Sequence, residues 1–158
     1  MREFNKKEAE DYLNDLLKKY KIKISQRSRS SCGWANWHTK EVKIPLPTDI
    51  DRFGVCLHEV KHIIDGDGGK RYWQEFQCDL YALNIIKEFH YDTSDWEKRM
   101  RWHVLSRVAM ATNRGLKVVD KEITDFYSDI DFTKWIGKRV FVSADRKFNN
   151  LKISITKK

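Results

Sequence analysis

Val55–Asp79, VCLHEVKHIIDGDGGKRYWQEFQCD, is the stretch from which the rest of this 158-residue chain takes its meaning. It opens with His58-Glu59-Val60-Lys61-His62, an H-E-x-x-H pattern. On a helix the i, i+4 spacing projects both imidazoles from one face, where a single metal ion can take them. Two neutral imidazoles make half of a tetrahedral zinc shell, and a catalytic zinc needs a third protein ligand and an open fourth position. Glu75 can be that ligand, because Gly66-Asp67-Gly68-Gly69 breaks the first helix and lets a second fold back across it. Glu59 follows the first ligand directly, so it lies beside the metal, where a carboxylate can take a proton from the attacking water.

The pattern is unlikely to be an accident of composition. With five His and nine Glu in the chain, an H-E-x-x-H somewhere is expected by chance at roughly the one per cent level. Ile50, Phe53, Leu57, Val60 and Ile64 lead into and through it at helical spacing, and glycines end it.

Glu75 followed four residues later by Asp79 resembles the E-x-x-x-D element of the gluzincin metallopeptidases. The short interval from H-E-x-x-H to Glu, then Cys78, Asp79, Tyr81 and Ala82, is similar to the ImmA/IrrE family of small bacterial and phage metallopeptidases. The likeness covers mainly residues 31 to 90. It implies that Glu75 is the third zinc ligand and that Asp79 orients a ligating histidine. It also implies a protein substrate, such as a repressor or other regulator in a phage or mobile-element setting. The sequence departs from the family in having Cys78 where Ala is usual, no Met-Pro run after the motif, and no helix-turn-helix domain before it.

Length and composition bound the remaining possibilities. One domain is expected, 41% of its residues are hydrophobic, and no run of eighteen apolar residues exists to span a membrane. The charged N-terminus does not read as a leader, and three widely spaced cysteines do not make a disulfide framework, so a cytoplasmic location is expected. Cys78 could ligate metal, but lying three residues from Glu75 within one helical turn it reads rather as a small packing residue, as do Cys32 and Cys56. The net charge of +8 is unevenly spread: residues 49–79 hold seven acids against four bases, whereas residues 138–158 hold seven bases against Asp145 alone. That basic tail is either a solubilising face or a docking surface for DNA or an acidic protein.

Outward from the motif, helical periodicity predicts a first helix over about residues 6–20, capped by Asn5 and Glu8. Ile22 and Ile24 make a short strand, and Ser25 to Ser31 reads as a loop. Two strands follow, CGWANWH and EVKIPL, joined by a turn at Thr39-Lys40. Val42, Ile44 and Leu46 give the second strand a buried face, and Pro45 places it at a sheet edge. The resemblance implies that such an edge pairs with extended substrate. Trp34 and Trp37 read as core or cleft wall. Thr48 or Asp49 caps the metal helix, and the second helix is expected over about residues 70–89. Ser94 and Glu97 form a capping box for a third helix, with Trp96, Met100, Val104, Val108 and Ala111 inward. His103 beside that stripe is a candidate oxyanion donor. A fourth helix begins at Asp120 with Ile123, Phe126, Tyr127 and Ile130, and a terminal hairpin turns about Asn149-Asn150.

These parts predict an α+β, zincin-like domain, with helices carrying the metal site beside a small sheet. In this reading His58, His62 and Glu75 hold Zn²⁺, Glu59 is general base, Asp79 orients a ligand, and a peptide bond in a protein is hydrolysed. Two rival readings remain: a DNA-associated protease of the SprT kind, against which Glu75 speaks because that group uses a third His, and a non-catalytic binding protein stabilised by metal.

Overall fold

In the first helix, α1 (Lys6–Lys19), Asn5 accepts a hydrogen bond from the Glu8 amide at 3.1 Å, and the spacing of Ala9, Leu13 and Leu17 buries one stripe. The computed structural model describes residues 1–158. The chain divides into two compact units, Met1–Gly69 with Gln77–Glu97, and Lys70–Phe76 with Lys98–Lys158. Together they contain helices and two small sheets, an α+β composition. No helix is long and apolar enough to cross a membrane.

The first unit contains a three-stranded sheet in the order β1-β3-β2, formed by β1 (Lys23–Ser28), β2 (Trp34–Asn36) and β3 (Glu41–Pro45). β1 runs parallel to β3, and β2 antiparallel, after a turn in which Lys40 takes a φ of 54°. Two expectations are corrected here. Ser25–Ser28 is strand rather than loop: its side chains are mostly exposed, so it carries no apolar alternation, and its backbone is held by pairing with β3. β3 is the central strand, not an edge, with β1 along one side and β2 along Glu41–Lys43 on the other. Pro45 is accommodated because it stands at the strand's last residue. The edge strands of this sheet are β1 and β2.

Val42 and Ile44 of β3 bury one sheet face against Leu13 and Leu17 of α1, Ile22, and Cys56, Val60 and Ile63 of α2 (Ile50–Asp65). Asp49 caps α2 by accepting from the Arg52 amide at 2.8 Å, and Gly66 ends it with a φ of 65°. Burial pushes the Cys56 thiol up to about 12, and its Sγ donates to the Pro45 carbonyl at 3.2 Å. Cys32 is exposed, contrary to its expected packing role, with Sγ 3.0 Å from Ser30 Oγ. Trp34 and Trp37 are also exposed and belong to no core, Trp37 stacking on His38 instead.

Two long helices run through both units, α3 (Arg71–Glu88) and α4 (Ser94–Asn113). The capping arrangement of α4 sits one residue earlier than expected. Thr93, not Ser94, meets Glu97, whose amide donates to Thr93 O at 2.8 Å while Thr93 Oγ1 donates to its carboxylate at 2.7 Å.

In the second unit, α5 (Lys121–Phe126) is shorter than its apolar spacing suggested. Ile123 and Tyr127 are buried but Phe126 is exposed, because the chain leaves helical geometry at Tyr127. A 3₁₀ turn, Phe132–Trp135, then buries both of its aromatic rings at 4.9 Å. β4 (Lys138–Ser143) and β5 (Lys152–Lys157) form the expected antiparallel hairpin, with positive φ at Phe148 and Asn150. On the side of β4 away from β5, the Asn113 amide bonds Val140 twice. Nδ2 donates to the carbonyl and Oδ1 accepts from the N–H, each at 2.8 Å.

Candidate metal centre

The i, i+4 geometry of α2 brings the Nε2 atoms of His58 and His62 to 3.1 Å from one another. Glu59 lies between them in sequence and is only 9% exposed. Because the first turn of α2 is capped and its inner face packs on the sheet, the helix holds these side chains in fixed register.

His58 is oriented from behind. Its Nδ1 lies 2.7 Å from Asp79 Oδ1, on α3, in an interaction that is almost wholly buried. When Asp79 is ionised it can only accept, which puts a proton on Nδ1 and leaves Nε2, on the side of His62, as the ligating atom. That is the tautomer in which a histidine backed by a carboxylate binds metal.

The donor chemistry fits a divalent metal ion, for which zinc gives the scale. Tetrahedral ligation with Zn–N distances of about 2.0–2.1 Å puts two imidazole nitrogens about 3.3 Å apart. The observed 3.1 Å is close to that separation. Cys78, one residue before Asp79, completes a group in which His58 and Cys78 are buried and His62 is half-buried: their ligand atoms lie within 4.8 Å of one another. The chain therefore carries clustered His, Cys and Asp side chains able to coordinate a metal. The sequence favoured packing over ligation for Cys78; the side chain is indeed buried, and Glu75, Cys78, Asp79 and Ala82 fall at i, i+3, i+4 and i+7 on one face of α3.

Glu75 is 5% exposed. Its Oε2 lies 3.6 Å from His103 Nε2, and its Oε1 lies 3.7 Å from Arg71 Nε. His103 thus faces a carboxylate, a partner the sequence pattern did not indicate.

Three further residues position the site without ligand atoms of their own. Trp96 donates its indole N–H to the Asp79 carbonyl at 3.2 Å. The same ring lies against Gly54, one turn before His58, where a Cβ would come within 2.2 Å of Trp96 Cε3. One buried indole therefore braces both helices that make the His58–Asp79 pair. Gly33, at the approach to β2, lies against the catalytic candidate itself, since a Cβ there would be 3.0 Å from Glu59 Cγ and 2.5 Å from the Lys43 carbonyl. Only a residue without a side chain lets the β2 edge run this close to Glu59.

No protein-family profile, curated protein or solved structure matches this chain.

Proposed function

We propose that this protein is a zinc-dependent peptidase that hydrolyses a peptide bond in a protein substrate. The observation carrying the reading is the convergence of His58 and His62 Nε2 at 3.1 Å, with Asp79 Oδ1 at 2.7 Å from the opposite ring nitrogen of His58. His58, His62 and Glu75 hold the ion. Zinc bound there would supply Lewis acidity toward a carbonyl oxygen and lower the pKa of water toward 7.

Glu59 accepts the proton of the attacking water and passes it to the leaving amine. Its burial beside Gly33 supports this role, because a carboxylate shielded from bulk water keeps its proton-transfer geometry. Asp79 is a positioning residue acting through His58. Extended substrate pairs with the free edge of β2, whose approach at Gly33 abuts Glu59. The resemblance to ImmA/IrrE enzymes, with their zincin fold and regulator substrates in phage or mobile-element settings, belongs to the same proposal.

The test is zinc content together with cleavage of an unfolded protein substrate. Glu59→Gln keeps one zinc per chain and loses turnover, whereas Glu75→Gln weakens zinc. Absence of zinc from protein purified without chelator, or unchanged zinc affinity in the His58→Ala/His62→Ala double variant, overturns the reading.

The grouping of Cys78 with the two histidines favours one alternative, a metal held by two imidazoles and a thiolate for stability in a non-catalytic binding protein. Cobalt substitution separates them. Thiolate ligation gives an intense near-ultraviolet charge-transfer band that Cys78→Ser abolishes, and carboxylate ligation by Glu75 gives none.

A further inference from the structure

The formal charge of +8 belongs entirely to one of the two units. Lys70–Phe76 with Lys98–Lys158 holds 17 basic and 7 acidic residues, a balance of +10. The unit containing His58 and His62 holds 14 basic and 16 acidic, a balance of −2. Within the basic unit, the strands KRVFVS and KISITK contain no carboxylate at all. Asp145 in their connecting loop is occupied locally, accepting from the Lys147 and Asn149 amides at 3.0 and 2.9 Å.

Val140 and Val142 are buried, so strand alternation turns Arg139, Phe141 and Ser143 to the opposite face. The register sets Thr156, Ser154 and Lys152 across from them on β5. Phe141 is 68% exposed in the middle of this face. Its direct cross-strand neighbour is Ser154, too small to cover the ring, and Arg139 and Lys152 flank it along and across the ribbon. A single exposed Phe is ordinary surface, and so is a solvated basic strand. An uncovered aromatic ring among cations and hydroxyls, on a face with no acid, has the composition of a base-stacking platform with phosphate contacts on either side.

We propose that this face of the β4–β5 ribbon binds single-stranded nucleic acid. A base stacks on Phe141, the phosphates on either side meet Arg139 and Lys152, and the hydroxyls of Ser143, Ser154 and Thr156 donate to phosphate or sugar oxygens. An unpaired strand fits better than a duplex, because paired bases keep their faces inside the helical stack and offer none to the ring.

The test is fluorescence anisotropy of the full chain with a labelled oligodeoxynucleotide of about 12 residues, within the site sizes usual for such surfaces. Affinity should fall linearly on a log–log plot between about 50 and 200 mM salt. Phe141→Ala should weaken binding about 5-fold or more, the loss of one stacked base. Arg139→Glu/Lys152→Glu should abolish it, while the charge-matched Lys18→Glu/Lys19→Glu variant on α1 should bind as the parent does. Thermal melts confirm that each variant is folded. Four results overturn the proposal: no binding at low salt, full affinity in Phe141→Ala, equal loss in the charge-matched control, or equal competition by duplex DNA or polyglutamate.

Discussion

Asp79 carries two loads with two different atoms. Its carboxylate fixes the His58 tautomer, and its main-chain carbonyl receives the Trp96 indole. Asp79→Asn separates them, because the carbonyl remains while the carboxylate behind His58 is replaced by a neutral amide. Metal affinity should therefore fall about 10- to 100-fold with thermal stability of the metal-free protein nearly unchanged. Competitive titration against a chromogenic chelator measures the first quantity and a melt in excess chelator the second. Unchanged affinity would leave Asp79 a structural partner only. The H-E-x-x-H spacing made His58, Glu59 and His62 recognisable in the sequence, and the four-residue step from Glu75 drew attention to Asp79. Cys78, Gly33 and Gly54 could not be recognised in the same way. Their importance comes from which atoms approach across the fold, and neither glycine has a side chain whose chemistry advertises a role.

The packing of α2 against the start of α4 depends on a close approach that has no spare volume. At Gly54 a methyl group would overlap the Trp96 ring, which is itself buried. Gly54→Ala should destabilise the fold by about 1–3 kcal/mol, the usual cost of overpacking. It should also weaken metal binding, since displacement of α2 shifts His58 away from Asp79. Denaturant unfolding of the metal-free protein and a metal titration of the same sample test both parts, and a variant as stable as its parent would contradict the packing argument. The helices were readable from amphipathic spacing and caps, which is why α1, α2 and α3 fall close to their expected bounds. Strands were harder. β1 is polar and mostly exposed, so only its partner defines it, and the central place of β3 follows from that unforeseen pairing.

Across the whole molecule, several carboxylates are held below their ordinary range. Arg2 and Tyr91 hydrogen bonds lower Glu8, Arg101 lowers Asp129, and the Thr133 hydroxyl lowers Asp131. In the unfolded chain these groups take up protons at higher pH than in the folded one. Their contribution is complete above the ordinary carboxylate values of 3.8 and 4.5 and disappears as pH falls through the lowered ones. Tm should therefore drop between about pH 5 and pH 2, and Arg101→Met should make that drop shallower by removing the cation beside Asp129. A melt series across this range checks the sign, and a Tm that rises on acidification would refute it. Exposure keeps each contribution small, and added salt should reduce it further.

The pair of bonds that Asn113 makes to Val140 bears on how separate copies of the protein behave toward one another. A two-stranded ribbon has two open margins, and each can recruit the same margin of a neighbouring molecule into a growing intermolecular sheet. The Asn113 amide occupies the N–H and carbonyl of Val140 as a third strand would, so one of those margins is closed at its midpoint by a side chain. The other margin, β5, is bounded at both ends by Lys152 and Lys157, whose like charges oppose close approach of a second copy. Asn113→Leu reopens the first margin. Concentrated solutions of that variant should scatter light and slowly polymerise under conditions in which the parent stays dispersed.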